Sequence, residues 1–191
     1  MPAYIKNDYG IGKVAIMDKQ QRTFSDKRNN VVLIGMPGCG KSTVGVVLAK
    51  NLGYRFLDSD ICIQEQEERL LHEIITQEGL DGFLTIENRV NASLDVSRHV
   101  IATGGSAIYG EEAMRHLGEI GTVVYLKLPY GIIRRRLGNL VKRGVALKDG
   151  QTLHDLYRER IPLYEKYADI TVDCHKKQIR DIVAEIAGRI Q

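Results

Sequence analysis

The feature that most constrains this chain is a glycine-rich octapeptide placed between an apolar run and an amphipathic stretch. Residues 35–42 read GMPGCGKS and satisfy the phosphate-loop pattern G-x-x-x-x-G-K-[ST]. The apolar run 31–35 predicts a strand before the loop, and the stripe of Val44, Leu48 and Leu52 predicts a helix after it. Because backbone N–H groups and a helix N-terminus together bind phosphate oxygens, this order predicts a nucleoside triphosphate site.

Each residue type in the loop has a chemical purpose. Glycines let the backbone approach the phosphates, Lys41 reaches the β- and γ-phosphates, and the Ser42 hydroxyl is a ligand for Mg²⁺. The loop residues predicted to bind the nucleotide are Gly38, Cys39, Gly40, Lys41, Ser42 and Thr43.

Short apolar runs alternate with helical patterns along the rest of the chain. The predicted strands are 31–35, 55–58, 100–103, 123–128 and 170–173. Helical periodicity covers 61–78, 81–95, 111–117, 129–137 and 152–167, besides the helix after the loop and a C-terminal stripe. Nearly continuous apolar strands are typical of a parallel sheet covered on both faces. The fold class predicted is therefore α/β, a three-layer doubly wound sheet of five parallel strands.

Length and composition exclude several other classes of protein. The 191 residues show no repeat or linker, so we predict one domain over 30–191, a lid at about 138–151 and an N-terminal extension over 1–29. No apolar run approaches the ~18 residues of a membrane span. A net charge of +3 is too small to indicate nucleic-acid binding, and three widely spaced cysteines favour reduced thiols in the cytoplasm. We expect a monomer.

The second predicted strand ends in two carboxylates, in the sequence FLDSD at 56–60. Ligands bind at the carboxyl edge of parallel sheets, and the i, i+2 spacing lets one carboxylate face a metal while the other faces an acceptor hydroxyl. We predict a catalytic or metal-binding role for the pair formed by Asp58 and Asp60. The alternative is an N-cap for the next helix, and Asp60 is compatible with both roles.

Three later segments carry groups suited to an acceptor or to phosphates. Gly104 and Gly105 follow the third strand, where paired glycines permit close approach of a substrate. Arg136 and Arg143 lie in or beside a glycine-bearing stretch that we interpret as a mobile lid over the transferred phosphoryl group. Arg160, on the helix before the last strand, is placed to clamp an anionic group of the substrate.

Together these motifs resemble the shikimate kinase family, the small phosphate-loop kinases of aromatic amino acid biosynthesis. The resemblance covers roughly residues 30–175, in order and without large gaps. The matching segments are GMPGCGKST at 35–43, FLDSD at 56–60, F-x-x-I-E at 83–87, TGG at 103–105, the lid arginine Arg143, RIPLY at 160–164 and ADITVD at 168–173.

The resemblance implies an ATP- and Mg²⁺-dependent kinase, similar in fold to nucleoside monophosphate kinases, that phosphorylates a hydroxyl of shikimate. Its catalytic residues would be Lys41, Asp60 and Arg143, with Ser42 and Asp58 at the metal and Arg136 near the adenine. Glu87 would steady the acceptor pocket. The acceptor-binding residues that the resemblance implies are Asp60, Glu87, Gly104, Gly105, Ser106 and Arg160.

Three positions depart from the family pattern, all on the acceptor or lid side. The family's arginine after the phenylalanine is here Leu84, its third glycine is Ser106, and its lid sequence R-P-L is Arg-Gly-Val at 143–145. Leu84 cannot pair with a substrate carboxylate. Arg89 lies about 140° around the helix from residue 84 and is poorly placed to replace it, which leaves Arg69 as the remaining candidate.

Three functional hypotheses follow. The first is a shikimate kinase. The second keeps the reaction but changes the acceptor to a hydroxy amino acid, which the lost arginine and the nine carboxylates against one arginine in residues 58–87 favour. The third is a nucleotide-binding regulator without catalysis, which would require the chemistry of Lys41, Asp60 and Arg143 to be absent.

Overall fold

A computed structural model describes residues 28–138 and 150–190 of the chain. The predicted N-terminal extension, apart from Arg28 and Asn29, lies outside these residues. So do Arg143 and most of the predicted lid. Every helix in these two ranges is too short or too polar to span a lipid bilayer.

Five parallel strands form one sheet in the order β2-β3-β1-β4-β5. Their bounds are β1 Asn30–Ile34, β2 Arg55–Asp58, β3 His99–Ala102, β4 Gly121–Lys127 and β5 Ile170–Asp173. In the register of the central strand, Val31 lies opposite Val100 on one side and Thr122 on the other. All residues of β1 are buried because strands flank it and helices cover it. This sheet confirms the predicted fold class.

Seven α-helices connect and flank the described strands. They are α1 Lys41–Leu52, α2 Ser59–Glu67, α3 Leu71–Ala92, α4 Glu111–Ile120, α5 Tyr130–Leu137, α6 Leu153–Tyr167 and α7 Ile179–Ile190, with a short 3₁₀ helix at Ala107–Tyr109. The step from β1 to β2 runs one way across the sheet, and every later step runs the other way. Right-handed crossovers therefore place α1 on one face and the later crossover helices on the other. The final helix, α7, packs against α1.

The helical segment predicted over 61–78 is wrong as a single helix. The helix is interrupted at Glu68, which has a left-handed φ of 51°. Consequently α2 ends at Glu67 and α3 begins at Leu71. Inside α3, Gly79 has φ 72° and ψ −177°, which kinks the helix close to the predicted boundary at 78–81. The apolar periodicity of the sequence continues through Glu68 and Gly79, so it does not indicate either interruption of the helix.

The core has two parts with different roles. The larger cluster fills the space around the sheet and includes Leu33, Leu48 and Tyr125. A smaller one joins α2 to α3 through Ile63, Ile74, Phe83 and Val90. Because this second cluster is separate, α2 and α3 form a distinct packing unit beside the carboxyl edge of β2.

Candidate active site

The phosphate loop leaves the carboxyl end of β1 and enters α1 with its backbone donors exposed to a cleft. Gly35, Gly38 and Gly40 have φ values of 144°, 75° and 106°, which other residue types rarely adopt. The backbone N–H groups of Gly40, Lys41 and Ser42 have no hydrogen-bond acceptor among the described residues. They are therefore available to phosphate oxygens, at the positive end of the α1 dipole.

Lys41 is held inside the loop. Its Nζ donates to the carbonyl oxygens of Gly35 at 2.7 Å and of Met36 at 3.3 Å, and the side chain is buried. These two bonds fold the ammonium group back over the loop and direct it along the cleft. The Cys39 side chain, by contrast, packs into the core, and its backbone N–H donates to Met36. Cys39 therefore helps to shape the loop through its backbone, and its thiol lies in the core.

Ser42 and Asp58 meet across the cleft, as the sequence predicted for a metal site. The Ser42 hydroxyl donates to Asp58 Oδ2 at 2.8 Å, and Asp58 Oδ1 accepts from the backbone N–H of Asp60 at 3.1 Å. Asp58, rather than Asp60, is thus the N-cap of α2. Within the described ranges no group of three or more His, Cys, Asp or Glu side chains could hold a metal. One hydroxyl and one carboxylate suit Mg²⁺, which takes few protein ligands and completes its shell with phosphates and water.

Two further carboxylates flank Gly104, just after β3. A Cβ on Gly104 would lie 2.1 Å from Glu87 Oε1 and 2.9 Å from Asp60 Oδ1, so a larger residue would force these carboxylates to move. Burial raises the pKa of Asp60, nearby Asp58 raises it further, and Lys41 opposes both. Burial also raises the pKa of Glu87 to about 7, while the Ser106 hydroxyl opposes this rise. Both carboxyl groups therefore bind protons more readily than ordinary ones.

Glu87 lacks hydrogen bonds of regular geometry. It is 1% exposed, and neither of its carboxylate oxygens has such a partner among the residues described. The Ser106 hydroxyl is close enough to lower its pKa, although the two groups do not reach full hydrogen-bond geometry. A buried carboxyl group without a hydrogen-bond partner destabilises the folded state. Binding of a ligand or a proton to Glu87 would reduce this free-energy cost.

Arg160 approaches the same loop from α6. It is 2% exposed, and its Nη1 would lie 3.1 Å from a Cβ placed on Gly105. Its Nε donates to the Tyr109 hydroxyl at 3.3 Å. In the part of the chain that is described, no carboxylate lies within ion-pair distance of Arg160. A buried guanidinium without a counter-ion is suited to an anionic ligand.

The two arginines considered as replacements for the missing one are both engaged elsewhere. Arg89 pairs with Glu67, and Arg69 bridges Glu67 at 2.9 Å and Glu78 at 2.9 Å. Leu84 packs against the small apolar cluster between α2 and α3. Neither arginine therefore supplies a second cation to the acceptor side.

Most of the predicted site residues that the structure describes meet around one cleft of about 450 Å³ at the carboxyl edge of the sheet. Those that line it are Gly38, Gly40, Lys41, Ser42, Thr43, Asp58, Asp60, Gly104, Gly105 and Arg136. Glu87, Ser106 and Arg160 are buried around Gly104 and Gly105 rather than in the lining. Arg136 donates to the carbonyl oxygens of Gly38 and Cys39, both at 3.2 Å, so it rests on the phosphate loop.

Sequence reasoning missed several residues of the site. Pro37, Thr103 and Leu137 also line the cleft. The Tyr164 hydroxyl donates to Gly105 O at 2.7 Å and fixes the acceptor loop, and Tyr109 holds Arg160. Tyr164 stood within a matching motif, but no sequence signal marks Tyr109, because its contact with Arg160 spans 51 positions.

A parallel α/β sheet with a phosphate loop after β1, a Ser–Asp pair for a metal and a buried carboxylate beside it defines a phosphate-loop kinase. The family model described as shikimate kinase matches residues 37–191. The chain therefore belongs to the shikimate kinase family, which confirms the resemblance seen in its motifs.

Individual relatives agree with this assignment. The shikimate kinase of Persephonella marina is 34% identical over 163 residues, which cover 85% of this chain and 99% of the relative. The structure of the Acinetobacter baumannii enzyme in complex with shikimate is 34% identical, with a TM-score of 0.77 over 86% of this chain and 94% of the other. The Aquifex aeolicus shikimate kinase is 29% identical, with a TM-score of 0.71 over 84% of this chain and 95% of the other.

Proposed function

We propose that this protein transfers the γ-phosphoryl group of ATP to a hydroxyl of shikimate. The observation that carries the proposal is that one cleft joins the phosphate loop to Asp60. Arg160, buried behind Gly105, has no counter-ion among the described residues and would bind the carboxylate of the acceptor. The names of the relatives support the same acceptor.

Different residues of the cleft would bind the phosphates and accept the proton of the acceptor. The backbone donors at the start of α1 and the Lys41 ammonium would hold the phosphates and balance the negative charge on the transferred group. Asp60 would accept a hydrogen bond from the acceptor hydroxyl and take its proton as the new O–P bond forms and the bond to the β-phosphate oxygen breaks. The raised pKa of Asp60 makes it a better base than an exposed aspartate.

Ser42 and Asp58 fit the metal that such a transfer requires. Their oxygens lie 2.8 Å apart beside the phosphate loop, where Ser42 would be a direct ligand and Asp58 would bind the ion or its water shell. When bound, Mg²⁺ would neutralise the negative charge that develops on the transferred phosphoryl group. Arg136 would lie beside the nucleotide, since it already rests on the phosphate loop. Arg143 lies outside the described residues, and its role over the phosphates stays a prediction.

Release of ADP by the purified protein tests the proposal directly. With ATP, Mg²⁺ and millimolar shikimate, we expect turnover that depends on all three components. Absence of turnover with shikimate would refute the acceptor. A parallel panel of hydroxy amino acids tests the second hypothesis, which the unpartnered Glu87 favours because a buried carboxylate would suit an ammonium group. Faster turnover of any of these than of shikimate would assign the protein to that acceptor class.

Absence of turnover with every acceptor would instead support the regulator hypothesis, provided that ATP still binds. The monomeric state and the cytoplasmic location also remain proposals. Light scattering of the purified protein at micromolar concentration tests the first, and a dimer mass would contradict it.

A further inference from the structure

Among the described residues a single arginine reaches the acceptor pocket, so the orientation of that arginine is decisive. Leu84 carries no charge, and both Arg69 and Arg89 are paired with Glu67. Among the described residues the cation closest to Gly105 is Arg160, whose Nη1 would lie 3.1 Å from a Cβ at that position. Any group that fixes the Arg160 guanidinium therefore influences how the pocket recognises a carboxylate.

Tyr109 contacts Arg160 in two ways. Its hydroxyl accepts a hydrogen bond from Arg160 Nε at 3.3 Å, and its ring centroid lies 5.2 Å from the guanidinium carbon. The ring contact is a cation–π interaction, which holds the guanidinium over one aromatic face. Tyr109 ends the 3₁₀ helix that directly follows Ser106, so the acceptor loop and its arginine are connected through this residue.

Glu159 sets the direction of the Tyr109 hydroxyl. The hydroxyl donates its one proton to Glu159 Oε1 at 2.7 Å, and Glu159 Oε2 accepts from Gln151 Nε2 at 2.7 Å. An ionised carboxylate can only accept hydrogen bonds, so the phenolic oxygen presents its lone pairs to Arg160. Tyr109 thus holds Arg160 with a neutral group, and the guanidinium keeps its full positive charge.

The hydrogen bond to Tyr109 also determines which nitrogens of the Arg160 guanidinium can bind a ligand. Because Nε is bound to Tyr109, the two terminal nitrogens of Arg160 are left for a ligand. They make no hydrogen bond of regular geometry to a described residue, although the Tyr164 hydroxyl lies close to the guanidinium. Two parallel N–H groups match the two oxygens of a carboxylate. We propose that Tyr109 is a positioning residue that orients Arg160 for bidentate, end-on binding of the acceptor's carboxylate. This inference rests on the proposed function, because it concerns the carboxylate of the same acceptor.

Tyr109→Phe tests the proposal, because it removes the hydroxyl and keeps the ring. We expect KM for shikimate to rise about 10- to 100-fold, as for the loss of one charge-assisted hydrogen bond. We expect kcat and KM for ATP to remain close to those of the unchanged protein. Tyr167→Phe, at the end of the same helix as Arg160, is the matched control and should leave all three constants unchanged.

A second substrate distinguishes a role of Tyr109 in positioning Arg160 from a general role in the structure of the protein. The methyl ester of shikimate lacks the negative carboxylate, so Tyr109→Phe should change its KM by less than about twofold if the residue acts through Arg160. An equal loss with the acid and the ester would overturn the proposal in favour of a structural role. An unchanged KM for shikimate would overturn it as well.

The nuclear magnetic resonance signal of the Arg160 Nε–H provides a readout without any substrate. The signal is assigned by its loss in Arg160→Lys. We expect slow exchange of this proton with water in the unchanged protein and faster exchange in Tyr109→Phe. If shikimate is not turned over, the proposed function fails while this measurement still decides whether Tyr109 holds Arg160. Equal exchange rates in the two proteins would refute the contact.

Discussion

Asp60 and Glu87 flank the same glycine, yet their surroundings give them different roles. Asp60 lines the cleft beside Lys41 and Asp58, where a substrate hydroxyl can reach it. Glu87 is buried around Gly104 and has no hydrogen bond of regular geometry among the described residues. Burial raises the pKa of both groups, but only Asp60 lines the cleft, where it can exchange a proton with the acceptor.

Asp60→Asn should therefore remove catalysis and retain nucleotide binding. An amide of the same shape cannot accept the proton, and loss of a positioned base lowers kcat by about 10²- to 10⁴-fold. ADP release measures turnover, and titration with a non-hydrolysable ATP analogue measures affinity, which we expect to be unchanged. Asp81→Asn, on the exposed surface of α3, is the control. Full turnover in Asp60→Asn would contradict the assigned role.

Glu87→Gln should change how stability depends on pH. The folded pKa of Glu87 is about 7 against 4.5 for an unperturbed glutamate, so the folded state holds this proton more tightly than the unfolded chain. Its contribution is therefore favourable below pH 4.5 and is lost as pH rises to 7, by an amount on the order of 3 kcal/mol.

Denaturant unfolding of both proteins between pH 4 and pH 8 measures this effect. The free energy of unfolding of Glu87→Gln, relative to that of the unchanged protein, should increase across the window from 4.5 to 7. The neighbouring charges that act on Glu87 are those of Asp60, Arg160 and Lys41, and they are the same in both proteins. A difference that does not vary with pH would show that Glu87 titrates normally.

At the scale of elements, the break between α2 and α3 and the kink inside α3 decide where acceptor-side residues point. The left-handed conformation at Glu68 separates the two helices, and Gly79 turns the chain again before Phe83 and Glu87. After that turn Glu87 faces the interior, while Leu84 packs into the small cluster. A straight helix through this region would rotate both side chains to other faces.

Gly79→Ala should destabilise the protein, although a Cβ there would meet no atom within 4 Å. The cost arises from the backbone, because φ 72° with ψ −177° strains any residue that carries a Cβ, by about 1–3 kcal/mol. Gly118→Ala is the matched control in α4, where a Cβ also meets nothing and φ is not left-handed. It should stabilise the protein by about 0.5–1 kcal/mol. Thermal unfolding compares the two, and equal effects would contradict a strained kink.

At the scale of the whole molecule, the cleft joins parts of the chain that are distant in sequence. The phosphate loop follows β1, the carboxylates follow β2, the paired glycines follow β3, and Arg160 comes from α6. All of them meet at one edge because parallel strands end on the same side of the sheet. Ligands that bridge these parts should therefore stabilise the folded molecule as a unit.

Shikimate should raise the midpoint of thermal unfolding in an Arg160-dependent manner. A ligand at 100 times its Kd adds about 2.7 kcal/mol to stability, which corresponds to about 5–10 °C for a domain of this size. In Arg160→Ala the shift with shikimate should be lost, while the shift with an ATP analogue remains. Arg158→Ala, an exposed neighbour on the same helix, should keep both shifts. A full shikimate shift in Arg160→Ala would exclude that arginine from the acceptor site.

Local and periodic signals account for what could be predicted without the structure. The loop at 35–42, the five strands and the Asp58–Asp60 pair depend on residues close together in the chain. The wrong prediction of one helix over 61–78 also comes from reliance on local periodicity. The apolar pattern continues across Glu68, where one left-handed residue interrupts the helix. A pattern of side chains does not report the backbone angle of an ordinary residue such as glutamate.

The sequence by itself determined the fold class, the family and the residue types in the cleft, because each follows from a motif or a period. Only the tertiary structure decided which partners those residues have. It engages Arg69 and Arg89 with Glu67, leaves Glu87 without a regular hydrogen bond, and places Tyr109 on Arg160. The physical reason is that hydrogen bonds and ion pairs depend on distances of a few ångströms between segments that only packing brings together.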